Sequence, residues 1–409
     1  MFVLSLVVPI GYIYLRDGDE SEKDLTQMKL SLKPMKAAAE GASEIYAVTG
    51  TNGADNGVDR LIDLMADNDQ AFYRSNKEMV AQGPEGFIGT NDVVLIKVNS
   101  QWGERGGTNT DLVSSIIRVL LDHPDGWKGE IIVADNGQAQ YGGAGRGGSL
   151  DWRMNNALQK EQSVQDVVDM YATNFKVSTC LWDKFTSNVV QEFAEGDNED
   201  GYVVNTKVIS TTGTIVSYPK FTTPYGTPVS FKWGIYKPEI DDYDVDKLKV
   251  INMPVLKTHM IYGVTAAIKN YMGVPSDKLT AGLGYRAHRT VGDGGMGSLM
   301  AQTRVPTLNI LDAIHINAIP KDGPKTPYDH ATETNIIAAS KDPVAIDYWS
   351  SKNLLCVVCE ENGDETSTMD PDNTAKKEFG YWLTASMDEL NAEGWGFTRD
   401  PSKITVYVN

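Results

Sequence analysis

Between Val93 and Asp135 the chain sets two short apolar runs on either side of one amphipathic segment, and this arrangement restricts the fold more than any other feature. Val93-Val-Leu-Ile-Lys-Val98 and Ile131-Ile-Val-Ala-Asp135 are compact runs without polar alternation, as expected of strands covered on both faces. Asp111 to Leu121 has helical apolar spacing and follows Thr108, Asn109 and Thr110, each a suitable cap. Strand, helix and strand within about 45 residues predict a right-handed parallel unit.

The same alternation recurs elsewhere. Ser43 to Thr49 reads as a strand and Asp55 to Met65 as a turn and helix, and a further helix is expected from about Ser163 to Thr173. Lys249 to Pro254, Leu308 to Ile314, Asn335 to Ser340 and Ile404 to Val408 read as strands. Gly263 to Met272 reads as a helix, and Asp342-Pro343 opens another with proline at its first position. From Tyr202 to Trp233, β-branched residues punctuated by Pro and Gly predict a hairpin-built insertion or lid. The sum is an α/β fold over 43–409: a mainly parallel sheet with helices on both faces and a β-rich insertion at about 202–233.

Residues 1–24 stand apart. Met1 to Leu15 carries no charge, and Arg16 to Asp24 turns abruptly polar, which marks an apolar targeting or anchoring segment followed by a hinge. The apolar stretch is shorter than the roughly 20 residues that span a bilayer. An extracytoplasmic, membrane-anchored or cell-surface location is the expectation, with membrane contact or self-assembly through residues 1–15.

With 55 acidic and 37 basic residues, the formal charge of -18 repels phosphate backbones, so nucleic acid is not an expected partner. Three cysteines, Cys180, Cys356 and Cys359, are too few for a disulfide framework or an iron–sulfur run. Cys356-Val-Val-Cys359 has redox or half-zinc-site spacing without an obvious second ligand pair, so buried thiols or one short-loop disulfide are expected. The tract Gly142 to Gly148 follows a strand, but it lacks both the full Gly-x-Gly-x-x-Gly pattern and Gly-Lys-Ser/Thr, and it reads as a surface loop.

In α/β sheets ligands gather at the carboxyl ends of strands. Lys97 and Asn99, Asp135, Lys257 and His259, Asp312 and Asp342 all fall at such ends, where caps and turns also place polar residues. The densest group is Lys257, His259, Lys269, Asn270, Arg286 and His288. A lysine within Ala266-Ala-Ile-Lys-Asn-Tyr-Met272 needs a carboxylate or an anion if buried, unless it snorkels to the surface, and His259 can equally be a satisfied core histidine. Lys257, His259 and Lys269 are expected to face one pocket. The N–H groups of the helix after Gly263 would add positive potential, and Asp135, Asp312 or Asp347 would balance the empty site.

The strings Val94-Leu-Ile-Lys-Val-Asn99, Pro254-Val-Leu-Lys-Thr-His259, Thr265-Ala-Ala-Ile-Lys-Asn-Tyr-Met-Gly273, Leu308-Asn-Ile-Leu-Asp312 and Ala338-Ala-Ser-Lys-Asp-Pro-Val-Ala-Ile-Asp347 resemble, in this order, the blocks of the domain-of-unknown-function 362 family. Weaker echoes follow at Glu393 to Phe397 and Ile404 to Val406. Many members append a ferredoxin-like module and are iron–sulfur-centre proteins, and others carry export signals. No such module is present in this sequence, so the resemblance implies no iron–sulfur cluster.

Three functions remain open at this point. The first is binding or turnover of a small anionic ligand, phosphate- or carboxylate-bearing, by Lys97, Asn99, Lys257, His259, Lys269, Asn270, Arg286 and His288. The second is a divalent-metal-dependent enzyme in which His259 and His288 join Asp135, Asp312 or Asp347. The third is an exported structural or self-assembling subunit that uses the apolar N-terminus. No familiar nucleophile pattern such as Gly-x-Ser-x-Gly or His-Glu-x-x-His is present.

Overall fold

The computed structural model describes residues 30, 32–35, 43–138 and 148–409. The apolar stretch Met1 to Leu15 and most of the glycine tract, residues 142–147, lie outside them.

Ten strands form the main sheet: β1 Ser43–Thr49, β2 Val93–Lys97, β3 Glu130–Asp135, β4 Val177–Leu181, β5 Leu248–Asn252, β6 Val255–His259, β7 Gly263–Thr265, β8 Leu308–Asn317, β9 Thr332–Ser340 and β10 Ile404–Val408. Their order is β10-β1-β9-β8-β5-β2-β3-β4, with β6 pairing both β7 and β8. The pairs from β8 through β5, β2 and β3 to β4 are parallel, whereas β9 runs antiparallel to β1 and β8. The first and last strands in sequence are neighbours at one edge, because β10 pairs parallel with β1.

Pro254 separates β5 from β6 in what would otherwise be a single strand. It has no N–H to give a ladder, and β6 bends onto the far half of β8, with Val255 opposite Asp312.

Side-chain alternation along β2 explains its apolar run. Val94 and Ile96 pack with Leu61, Leu112, Val113, Ile116 and Val167 of the helices α1 Gly57–Ala66, α2 Thr110–Leu121 and α3 Val164–Ala172. Val93 and Leu95 pack toward the other face with Phe221 and Phe231, and with helices Gly295–Gln302, Pro343–Ser350 and Phe379–Ala392. Asn109 caps α2 through its side-chain oxygen, which accepts from the N–H of Asp111 and Leu112. Ser163 and Asp166 form a capping box at the start of α3.

A five-stranded antiparallel sheet occupies Gly201 to Asp244 and spans the stretch in which hairpins are expected. Among the described residues no helix is long and apolar enough to cross a membrane.

One element differs from its sequence reading. Gly263 to Met272 is not a single helix: Gly263–Thr265 turns back as β7 against β6, and only Ala267–Asn270 is α-helical. Gly263 sits at φ 73°, and a Cβ there would lie 1.8 Å from the Thr368 carbonyl oxygen, so the hairpin requires glycine.

Candidate functional site

Register brings the first site residues together. Lys97 at the end of β2 lies beside Ala134 of β3 and Asn252 of β5, so the carboxyl ends of three parallel strands meet. Lys97 Nζ lies 2.7 Å from Asp135 Oδ1, and both side chains are almost wholly buried. Lys97 also donates to the Val98 carbonyl at 2.7 Å. The other Asp135 oxygen accepts from the Ser100 N–H and hydroxyl at 2.8 and 2.9 Å. Burial pulls the Lys97 pKa down while Asp135 pulls it up.

Two more lysines reach the same place. Lys97, Asn99, Gln101, Asp135, Lys257 and Lys269 line one cleft, together with Trp102, Thr265, Asn270 and Gly273. Lys257, on β6, is 1% exposed and donates to the Gly106 carbonyl. Lys269 is 6% exposed, and its ammonium group has no hydrogen bond or ion pair among the described residues, the Tyr262 ring centroid lying 5.7 Å away. Burial lowers the Lys269 pKa to about 7. Burial, reinforced by repulsion from Lys269, pushes Lys257 well below the ordinary lysine range. Three buried amines thus face one carboxylate, and that carboxylate is committed to Lys97.

Two acceptors beside these amines are also unsatisfied: Asn99 Oδ1 and Thr265 Oγ1 are buried without a hydrogen-bond partner. Unpaired buried polar atoms of this kind are uncommon and need a reason. Asn270, by contrast, is committed to the sheet. Its amide donates to Asn252 Oδ1 at 2.8 Å, Asn252 donates to Asn309 Oδ1 at 2.9 Å, and Asn309 donates to the Ser340 carbonyl at 3.1 Å.

Gly273 closes the floor of the cleft, where a Cβ would lie 2.0 Å from Asp135 Oδ1 and 2.4 Å from Lys97 Nζ. The backbone can therefore cross the ion pair only as glycine.

The histidines form an adjoining cluster and do not line the cleft. The His259 ring lies 5.2 Å from Tyr262 and 6.1 Å from His288 between centroids. His259 Nδ1 accepts from the backbone N–H of Ile261 and Tyr262, so this histidine stabilises the turn between β6 and β7. Burial, then the nearby Lys269, lowers both imidazole pKa values, that of His288 to about 4. Lys269 is the residue that joins the cluster to the cleft. Arg286 is solvent-exposed and lies outside the cleft lining.

The acidic residues separate by role. Asp347 accepts from the N–H of Ala267 and Ile268 at 2.6 and 3.0 Å. These are the groups expected to hold an anion at a helix start, so that contribution is absent: a carboxylate of the protein already occupies it. Asp312 accepts from the Asn109 N–H and the Asn156 amide at 2.8 and 3.1 Å, and burial raises its pKa to about 6. Among the described residues no group of three or more His, Cys, Asp or Glu is placed to hold a metal ion, and His259 and His288 are not joined by Asp135, Asp312 or Asp347 in such a group. Cys356 and Cys359 are free, buried thiols on the helix Cys356–Glu361.

Sequence reading missed Ser100, Thr265 and Gly273. Ser100 immediately follows a strand end and Gly273 ends the string Lys269-Asn-Tyr-Met-Gly273, so both had a positional signal. Thr265 had none, because its place depends on the unforeseen hairpin.

Residues 218–352, which include Lys257, Lys269 and Gly273, match the model of the family described as Domain of unknown function (DUF362). No curated protein and no solved structure matches the chain.

Proposed function

We propose that this chain, a member of the domain-of-unknown-function 362 family, binds a small ligand through a carboxylate or phosphate group seated among Lys97, Lys257 and Lys269. The observation that carries this reading is the imbalance of the cleft: three buried amines, one carboxylate, and Lys269 without a polar partner. A buried cation without a counter-ion sheds its proton or recruits an anion. Burial holds Lys257 and Lys269 below the ordinary lysine range, which favours the first course. An anion would reverse it, drawing a proton back to the lysines beside it.

The cleft is narrow, with a free volume of about 10 Å³, and admits only a small polar group between its side chains. The ligand therefore places one headgroup here rather than its whole body. A neighbouring pocket of about 250 Å³, lined by Trp102, Trp152, Met154, Lys325 and Thr326, shares Trp102 with the cleft and offers space for the remainder.

Titration calorimetry with inorganic phosphate and with simple carboxylates tests the reading. At least one of these anions binds wild-type protein, and Lys269→Met abolishes that binding while the circular dichroism spectrum and cooperative unfolding persist. Equal affinity in wild type and variant overturns the assignment, as does the absence of binding by any anion tested.

A further inference from the structure

We propose that Lys269 is an amine nucleophile and that the ligand of the cleft carries a carbonyl group beside its anionic group, a 2-oxo acid being the simplest example. The inference rests on the anion-binding reading and adds a reaction to it.

The three lysines are not equivalent. Lys97 is neutralised by Asp135 at 2.7 Å and held by the Val98 carbonyl. Lys257 is engaged with the Gly106 carbonyl. Lys269 alone of the three lacks a hydrogen bond or ion pair among the described residues, yet it is 6% exposed and borders the cleft. Its sequence neighbours Ala266, Ala267, Ile268, Tyr271 and Met272 are buried and largely apolar. Among the described residues the charged end of Lys269 has the Tyr262 ring, 5.7 Å away, in place of a polar partner. Desolvation is also a condition that activates a lysine amine, by keeping a large fraction neutral at physiological pH. The lowering of Lys269 to about 7 agrees with this geometry.

The step is balanced without a redox partner. With the ligand carboxylate paired to Lys97 and Lys257, the proton it draws in goes to Lys257, and neutral Lys269 forms a bond to the carbonyl carbon through its nitrogen lone pair. The π pair of the carbonyl moves to oxygen, which takes a proton released by that nitrogen. Loss of that hydroxyl as water, with the remaining N–H proton given up, leaves a carbon–nitrogen double bond. Amine and carbonyl thus become imine and water. The ligand carboxylate would be seated beside Lys97, whose ammonium Asp135 keeps in place.

Full-length protein is incubated at pH 7 with pyruvate and sodium cyanoborohydride, and the adduct is located by peptide mass mapping. The proposal expects one reduced adduct at Lys269, formed more than about tenfold faster than at the average surface lysine, which is almost wholly protonated at this pH. Phosphate slows its formation, and Lys269→Met removes it. Modification spread over surface lysines, or none at Lys269, overturns the proposal in wild type without reliance on any variant. Lactate, which has the carboxylate but no carbonyl, separates the two claims in calorimetry. If lactate and pyruvate bind and no adduct forms, the nucleophile is lost and the anion site stands. If neither they nor phosphate binds, both fall.

Discussion

Lys97 and Asp135 form an ion pair at 2.7 Å across the ends of two adjacent parallel strands, and a single glycine, Gly273, lies against both charged atoms. Removing one partner leaves an uncompensated charge in a buried site, which costs about 3–5 kcal/mol. Asp135→Asn, which leaves Lys97 without its carboxylate, should lower the urea midpoint by a corresponding amount, and Lys97→Met by less, because Lys257 and Lys269 line the same cleft as Asp135. A loss below about 1 kcal/mol, typical of exposed pairs, would contradict the burial described here.

Gly273→Ala tests the close approach independently. Alanine usually stabilises a chain by restricting its unfolded state, but here the new methyl would lie 2.0 Å from Asp135 Oδ1. Overpacking of this kind costs about 1–3 kcal/mol. The expected result is a lower melting temperature together with weaker anion binding, and an unchanged or raised melting temperature would show that the floor of the cleft gives way.

The lowered Lys269 pKa fixes the sign of a pH effect. Between about pH 7 and the unfolded lysine value near 10.4, the unfolded chain holds a proton on this residue that the folded protein does not, so its contribution to stability rises with pH through that window. Below about 7 both states are protonated and the contribution is flat. The stability of Lys269→Met relative to wild type should therefore be greatest near pH 7 and shrink as pH approaches 10. A difference independent of pH would contradict a buried, unpaired amine.

Cys356 and Cys359 lie buried as free thiols, and burial raises both pKa values, that of Cys359 to about 11. Thiolates are the reactive form. Neither residue should react with a thiol reagent in native protein at pH 8 on a timescale of minutes, and both should react once denaturant is added. Stoichiometric labelling of either in the native state would contradict their placement.

Residues whose position depends on local pattern were legible before the fold was known. The strands Ser43–Thr49 and Ile404–Val408 begin and end where β-branched alternation places them, and Asn109 caps its helix as its side chain dictates. Lys97, Asn99, Lys257, Lys269 and Asn270 do meet at one place, because strand ends and the short segment after them share a sheet edge. What was not legible depends on long-range register. Ala266 to Met272 looks helical by composition, yet Gly263 and its contact with Thr368 turn the chain into a hairpin first. After that turn Asp347, 80 residues away from Ala267, caps the helix start. The amide ladder Asn270–Asn252–Asn309 has no sequence signature, since its members lie on separate elements.

The central claim is that an anion restores protons to lysines that burial has stripped. Calorimetric titration of the tightest-binding anion at pH 8, repeated in buffers of different ionisation enthalpy, measures the protons taken up on binding. Net uptake is expected in wild type, shrinking as pH falls below about 7, where Lys269 already carries its proton, with any remaining uptake belonging to the more strongly lowered Lys257. Binding at pH 8 with no proton exchange, or with net release, would contradict it.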